Sequence, residues 1–189
     1  MYSENSKADD QSSALITKTN GLSETTIITG VFHFECVGAD GVVKWTDSFP
    51  NLVTTAGRND MLDKYFAGSA YTATWYMGLV NNTPTPSYVA GDTLASHTGW
   101  AELAAGTAYT TTGTNRITMA WNAASAGAKA STSTSFPIIA TNTVAGALVT
   151  ATQSGSVSGV LYSAGNFTGS SRSVVSTDTL NVTYTATLT

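Results

Sequence analysis

Strict alternation of apolar and polar side chains over residues 180–188 constrains the fold more than any other feature. Leu180, Val182, Tyr184, Ala186 and Leu188 are separated at every intervening position by an asparagine or a threonine. Successive side chains of a β-strand point to opposite faces of a sheet, so this two-residue period predicts a strand with one buried face.

A second alternating segment, from residue 28, predicts the first strand of a β-hairpin. The Asp40-Gly41 pair suits a tight turn, and residues 42–47 return as the second strand. We expect the bulky side chains of the first strand to share its buried face, and these are Ile28, Phe32, Phe34 and Cys36.

Residues 56–66 predict one short helix, which Thr54 or Thr55 can cap at its N-terminus. Its predicted buried stripe consists of Met61, Leu62, Tyr65 and Phe66. A further helical turn is expected at residues 92–97. The other predicted strands are residues 71–80, 116–122, 128–139, 144–152 and 160–163.

These elements predict an all-β fold: an antiparallel two-sheet sandwich or jelly-roll-like domain with one short helix. Only 11% of the residues are charged, against about 25% in an average domain, and threonine, serine, alanine and glycine take their place. Residues 26–189 are predicted to form a single β-rich domain, because a chain of this length can bury a sizeable core.

Residues 1–25 are polar and aperiodic, and they predict a flexible N-terminal arm. Its few sizeable apolar side chains cannot offset the entropy lost by ordering the whole arm, so we expect it to be ordered only by a partner. Residues 14–19 could add a strand to a neighbouring subunit. The predicted partner-contact residues are Leu15, Ile16, Lys18 and Leu22.

Charge and hydropathy exclude several classes of partner. Eight basic and twelve acidic residues give a net charge of -4, which favours neither nucleic acid nor an anionic membrane surface. The apolar stretches are far shorter than the roughly 20 residues of a membrane span. Residues 1–10 lack the apolar segment of a secretory signal, which predicts a chain made in the cytosol. A single cysteine, Cys36, allows no intramolecular disulfide.

Two histidines are the candidates for metal binding or acid-base catalysis. His33 and Glu35 share a strand face, but no third ligand stands at a metal-binding spacing. His97 lies near Asp92 and Glu102, where loop hydrogen bonds explain the residues more simply than catalysis does. We therefore predict no metal and no cofactor.

Other catalytic motifs are missing from the sequence. Residues 155–159 read Gly-Ser-Val-Ser-Gly, so a valine stands where a nucleophile elbow needs its serine. No phosphate-binding glycine motif occurs, and most carboxylates stand in the arm, in turns or on the helix. The sequence thus predicts a protein that is not an enzyme.

The aromatic residues have two candidate roles, packing in the core and forming a sugar-binding platform. Trp45 and Trp75 fall on apolar strand faces and are predicted, with Leu180, to be buried. Trp100 and Tyr109 stand in loop-rich sequence, where a surface role stays open.

Several runs of sequence resemble a set of virion proteins of tailed bacteriophages, the capsid cement or head decoration proteins. The likeness covers about residues 28–189 and does not include the arm. It rests on the order of residues in five short segments: 41–45, 51–62, 73–79, 95–100 and 159–162.

This resemblance implies a structural protein on the outside of a phage head that bridges neighbouring subunits of the major capsid protein. Such a protein is made in the bacterial host cytoplasm and then joins the virion. Closed homo-oligomers are the commonest assemblies, so contacts with its own copies in a dimer or trimer are also expected. The alternative is a tail or head-fibre module that binds host surface glycan through loops at residues 81–91 and 104–114.

Overall fold

The computed structural model describes residues 26–66, 74–111, 115–154 and 157–189. The predicted arm lies outside the described residues. Its predicted contact residues Leu15, Ile16, Lys18 and Leu22 lie outside them as well, so their role stays a prediction.

The described chain folds into strands and one helix. In chain order these are β1 (Ile28–Val37), β2 (Val43–Pro50), β3 (Leu52–Val53), α1 (Thr55–Phe66), β4 (Trp75–Asn81), β5 (Ile117–Met119), β6 (Ala128–Ala130), β7 (Thr134–Pro137), β8 (Asn142–Thr150), β9 (Leu161–Asn166), β10 (Arg172–Val174) and β11 (Thr179–Leu188). No helix in these parts of the chain is long and apolar enough to cross a membrane.

The strands form two antiparallel sheets that do not close into a barrel. The first sheet has the order β2-β1-β11-β6, with β7 also paired to β11. The second has the order β3-β9-β8-β4-β5, with β10 paired to β8. The predicted all-β sandwich with one short helix is confirmed.

The predicted hairpin is formed by β1 and β2. Asp40 accepts a hydrogen bond from the Val42 N–H at 3.0 Å, and Gly41 adopts a φ of 79° that favours glycine in the turn. The alternating segment over residues 180–188 is β11, which pairs with β1 from Ile28↔Leu188 to Val37↔Thr179. Both alternation predictions are confirmed.

The core lies between the sheets and is rich in aromatic rings. The Phe34 ring centroid lies 4.9 Å from that of Phe167, and the Phe32 centroid lies 4.8 Å from that of Tyr184. Leu180 is fully buried as predicted. Trp45 and Trp75 are only half-buried, because they pack at the margins of this core rather than inside it.

Two local predictions are wrong, and two short strands, β3 and β10, were not predicted. Residues 128–139 form two strands, β6 and β7, instead of one. Ser131 lies between these two strands, where its N–H donates to the Tyr184 carbonyl oxygen and its side-chain oxygen accepts from the Tyr184 N–H. Strands β3 and β10 contain two and three residues, too few to show an alternating period. Residues 92–97 form an irregular loop with a bend instead of a helical turn. The Asp92 carboxylate holds this loop by accepting hydrogen bonds from the Val89 N–H and the Trp100 indole.

Helix α1 begins where the sequence predicts but buries a different face. Thr54 caps it by accepting a hydrogen bond from the Gly57 N–H at 3.0 Å. Gly57 is the buried residue of the helix, and it lies against Tyr162 of β9. The predicted apolar stripe is mostly exposed: Met61 packs against the core, whereas Leu62, Tyr65 and Phe66 are exposed to solvent.

We expect Gly57→Ala to displace α1 from the sheet. A Cβ at this position would lie 2.6 Å from the Tyr162 carbonyl oxygen and 2.9 Å from its Cα, and backbone atoms cannot move aside cheaply. The free energy of unfolding, measured with urea, should fall by about 1–3 kcal/mol although alanine favours helix. Gly91→Ala is the control, since a Cβ there meets nothing within 4 Å. An unchanged or raised stability for Gly57→Ala contradicts this packing.

A buried carboxylate joins the hairpin to β11. Asp178 accepts hydrogen bonds from Lys44 Nζ at 2.7 Å and from the Val175 N–H at 3.0 Å, and Cys36 Sγ lies 3.8 Å away. Burial alone would raise the pKa of Asp178, but the bonds from Lys44 and Val175 outweigh burial and lower that pKa. Burial, followed by the charge of Asp178, raises the pKa of the Cys36 thiol to about 11.

Stability is therefore expected to depend on the ionisation of Asp178. Because the folded state lowers its pKa, its contribution is present above the ordinary value of 3.8 and is lost as the pH falls through the folded-state pKa. Asp178→Asn should lower the free energy of unfolding at pH 7 and make its decline below pH 4 shallower, as followed by urea unfolding at a series of pH values. Asp63→Asn, at an exposed helix position, is the control. Parallel curves for Asp178→Asn and wild type contradict the assignment.

Candidate functional site

An apolar groove opens at one end of the sandwich, between the sheets and beside α1. It consists of two adjoining depressions of about 580 and 510 Å³ that share Met61, Trp75 and Leu188. We call this site the end groove. The inner depression also contains Ile28, Trp121, Lys129 and Tyr162, and the outer one also contains Thr26, Leu62, Tyr65 and Phe66.

The walls of the end groove are held by the fold. Ile27 and Thr189 exchange two backbone hydrogen bonds, of 2.7 and 3.0 Å, which fix the ends of β1 and β11 side by side. The Tyr162 hydroxyl donates to the Met61 sulfur at 3.4 Å, and the Tyr162 ring lies edge-on to Trp75 with centroids 5.5 Å apart. The inner depression is therefore a preformed cavity between packed elements.

Large apolar side chains project into solvent around the outer depression. Tyr65 is 80% exposed and Phe66 78% exposed, and their rings lie edge to face 4.9 Å apart. Leu62 and Leu188 are each about half exposed. Scattered exposed apolar residues are ordinary, whereas a cluster of them beside a cavity is typical of a binding surface.

Among the described residues, Trp121 in the wall of the inner depression has an unpartnered polar atom. The buried indole Nε1 of Trp121 has no hydrogen-bond acceptor within the described residues. The Lys129 ammonium lies 5.9 Å from the Trp121 ring centroid and donates to the Asn122 carbonyl oxygen. Because the indole nitrogen of Trp121 is buried, it is not exposed to an occupant of the groove.

A second, polar pocket of about 330 Å³ lies between the loop after β4 and the β9–β10 connection. Amide and hydroxyl groups dominate its lining, which includes Asn82, Thr85, Thr143, Asn166, Ser170 and Ser171. Ser171 binds Asn82 through their side chains, and Asn166 donates to the Phe167 carbonyl oxygen at 3.0 Å. Phe167 is 2% exposed and offers no aromatic platform.

The structure keeps the candidate metal-binding residues in separate contacts. His33 lies within hydrogen-bond distance of Ser48, and Glu35 accepts a hydrogen bond from Asn181 at 3.3 Å. Across the described ranges, no group of three or more histidine, cysteine or acidic side chains is placed to hold a metal ion.

His97, Asp92 and Glu102 do not converge on one site either. His97 stacks on Trp100 with ring centroids 4.0 Å apart, while Asp92 accepts the Trp100 indole N–H at 3.0 Å. Glu102 instead pairs with Arg116. Each of these polar side chains therefore has a structural partner.

The surface role left open for Trp100 and Tyr109 is wrong. Trp100 is 2% exposed and Tyr109 is fully buried, because the loops that carry them fold back onto the sandwich. In the Gly-Ser-Val-Ser-Gly run, Gly155 and Ser156 lie outside the described residues.

No protein-family model and no curated protein matches the chain.

The end groove was not predicted from the sequence, because the helical pattern assigned Leu62, Tyr65 and Phe66 to the core. A signal was present: the first half of the helix, residues 55–60, contains no large apolar residue to continue that stripe.

Proposed function

We propose that this chain is a non-enzymatic structural protein of a bacteriophage virion, a cement or decoration protein on the outer surface of the head. Its partners would be the major capsid protein and further copies of itself as a dimer or trimer. The sequence resemblance suggests the family. The structural observation that carries the proposal is the exposed apolar cluster beside the end groove, which suits protein contact better than catalysis.

A rigid sandwich suits the mechanical side of this role. A cement protein gains its effect by holding neighbouring subunits at a fixed separation, which requires a body that does not deform. The two sheets share one aromatic core, and the Glu102–Arg116 and Asp178–Lys44 ion pairs tie separate parts of the chain together. The negative net charge agrees with a protein partner rather than with DNA.

The test uses phage heads from which this protein has been left out. The purified chain should bind expanded heads and raise the temperature at which they release DNA. A Tyr65→Ser, Phe66→Ser double variant should bind more weakly, while Val42→Ser, on the hairpin turn at the other end of β1, should bind as wild type does. Absence of binding and of any gain in head stability would refute the cement proposal.

The polar pocket favours a second candidate function, binding of host surface glycan by a tail or head-fibre module. Its amides and hydroxyls are groups that hydrogen-bond sugar hydroxyls, and Asn82 and Thr85 belong to one of the two predicted glycan-binding loops. A glycan array distinguishes the candidates. Binding of a glycan that Asn82→Ala abolishes, together with no binding to heads, would reverse the order of the two proposals.

A further inference from the structure

The described part of the chain begins at the end groove. Thr26, the first described residue, is part of the lining of the outer depression. The preceding 25 residues therefore leave the domain at the edge of an apolar groove. Leu22 stands only four positions before Thr26, a separation of at most about 14 Å in an extended chain.

We propose that the end groove binds the arm of the same chain, with Leu22 in the outer depression. Leu15 and Ile16 are then available for the inner depression, since an extended chain spans at most about 40 Å from residue 15 to residue 26. The arm contains no other sizeable apolar side chains after Tyr2. This inference concerns the free chain, and it differs from the expectation that only a partner orders the arm. On a phage head, capsid subunits would displace the arm from the Tyr65–Phe66 cluster that both would bind.

The chemistry of the groove fits a polypeptide segment. The exposed rings of Tyr65 and Phe66 and the half-exposed Leu62 provide an apolar surface for a leucine side chain. A tethered segment also acts at an effective concentration in the millimolar range, so weak contacts suffice to hold it.

A second copy of the domain fits this surface less well. The exposed portions of the four side chains that line the groove amount to roughly 500 Å² per copy, and these are Leu62, Tyr65, Phe66 and Leu188. A stable interface between proteins buries about 800 Å² on each partner. Face-to-face pairing through this cluster alone would therefore be too small, whereas a short peptide needs no more area than the groove provides.

Engineered cysteines test the proposal in the full-length chain. Ser23→Cys combined with Leu62→Cys places one thiol beside Leu22 and one on the outer depression. Under mild oxidation we expect a disulfide within one chain, seen as a faster-migrating monomer on a non-reducing gel. The native Cys36 is fully buried with a raised pKa, so it should not compete.

Proximity along the chain alone could also join these two cysteines, and matched variants remove that ambiguity. Adding Leu22→Ser or Phe66→Ser should slow disulfide formation about tenfold or more, because it removes apolar contact without changing the tether. Adding Asn20→Ser, a polar change in the same arm, should leave the rate unchanged. Ser23→Cys with Val42→Cys, on the far hairpin turn, should not cross-link.

Three results would overturn the proposal. An unchanged rate with Leu22→Ser would show that the tether alone brings the thiols together. Covalent dimers would show that the groove takes the arm of a second copy. Equal cross-linking to Val42→Cys would show that the arm has no preferred site on the domain.

Discussion

Replacing Glu102 by alanine is expected to lower the free energy of unfolding by about 3–5 kcal/mol, because it strands a buried positive charge. Arg116 is 4% exposed and donates to both Glu102 carboxylate oxygens, at 2.8 Å from Nε and 2.5 Å from the terminal nitrogen. Its other terminal nitrogen donates to the Thr152 and Ser154 carbonyl oxygens, which cannot neutralise the charge. Urea unfolding at pH 7 measures the loss.

The matched control removes both charges together. Glu102→Leu with Arg116→Met replaces the pair by apolar side chains of similar size, and such replacements are often close to neutral. We expect the double variant to recover most of the stability lost by Glu102→Ala. If the double variant is no more stable than the single one, the loss comes from altered packing and not from the stranded charge.

Truncation of Phe34 to alanine should have an effect of similar size through a different mechanism. Its ring is fully buried and lies between those of Phe49 and Phe167, with centroids 5.5 and 4.9 Å away. Removing it leaves a cavity that these rings fill only partly, so the free energy of unfolding should fall by about 3–5 kcal/mol. That is a large part of the 5–15 kcal/mol typical of a domain.

Val31→Thr, on the opposite face of the same strand, is the control for this core prediction. Val31 is 44% exposed, and threonine keeps the β-branched shape that suits a strand, so the change should stay within about 0.5 kcal/mol. Comparable losses at positions 31 and 34 would mean that β1 does not bury the predicted face. Thermal unfolding by circular dichroism provides an independent measurement of both variants.

The sequence predicted best where the decisive information is local. The alternation in β1 and β11 indicates which face of each strand is buried, and the Asp40-Gly41 pair indicates the turn. The sandwich class followed from these signals. Strand order did not, because the pairing of β1 with β11 depends on packing that residues far apart in the chain create together.

The end groove was beyond prediction for the same reason. Whether Tyr65 and Phe66 are buried depends on which helix residues meet the sheet, and α1 contacts Tyr162 through Gly57 and Met61 instead. A pattern of apolar residues along a helix cannot show whether a neighbour covers them. Trp100 illustrates the converse. Its position in a loop gave no sign that its indole is buried and donates a hydrogen bond to Asp92.

The pairing of β1 with β11 has a consequence for biosynthesis. β1 cannot pair with β11 until Thr179–Leu188 has emerged from the ribosome, more than 140 residues after Val37. At roughly 5–20 residues per second, translation leaves the inner edge of β1 without its partner for about 7–30 s. During that interval a nascent hairpin presents Phe32, Phe34 and Phe49 to its surroundings. We therefore expect the yield of folded protein to respond to chaperone supply and translation speed.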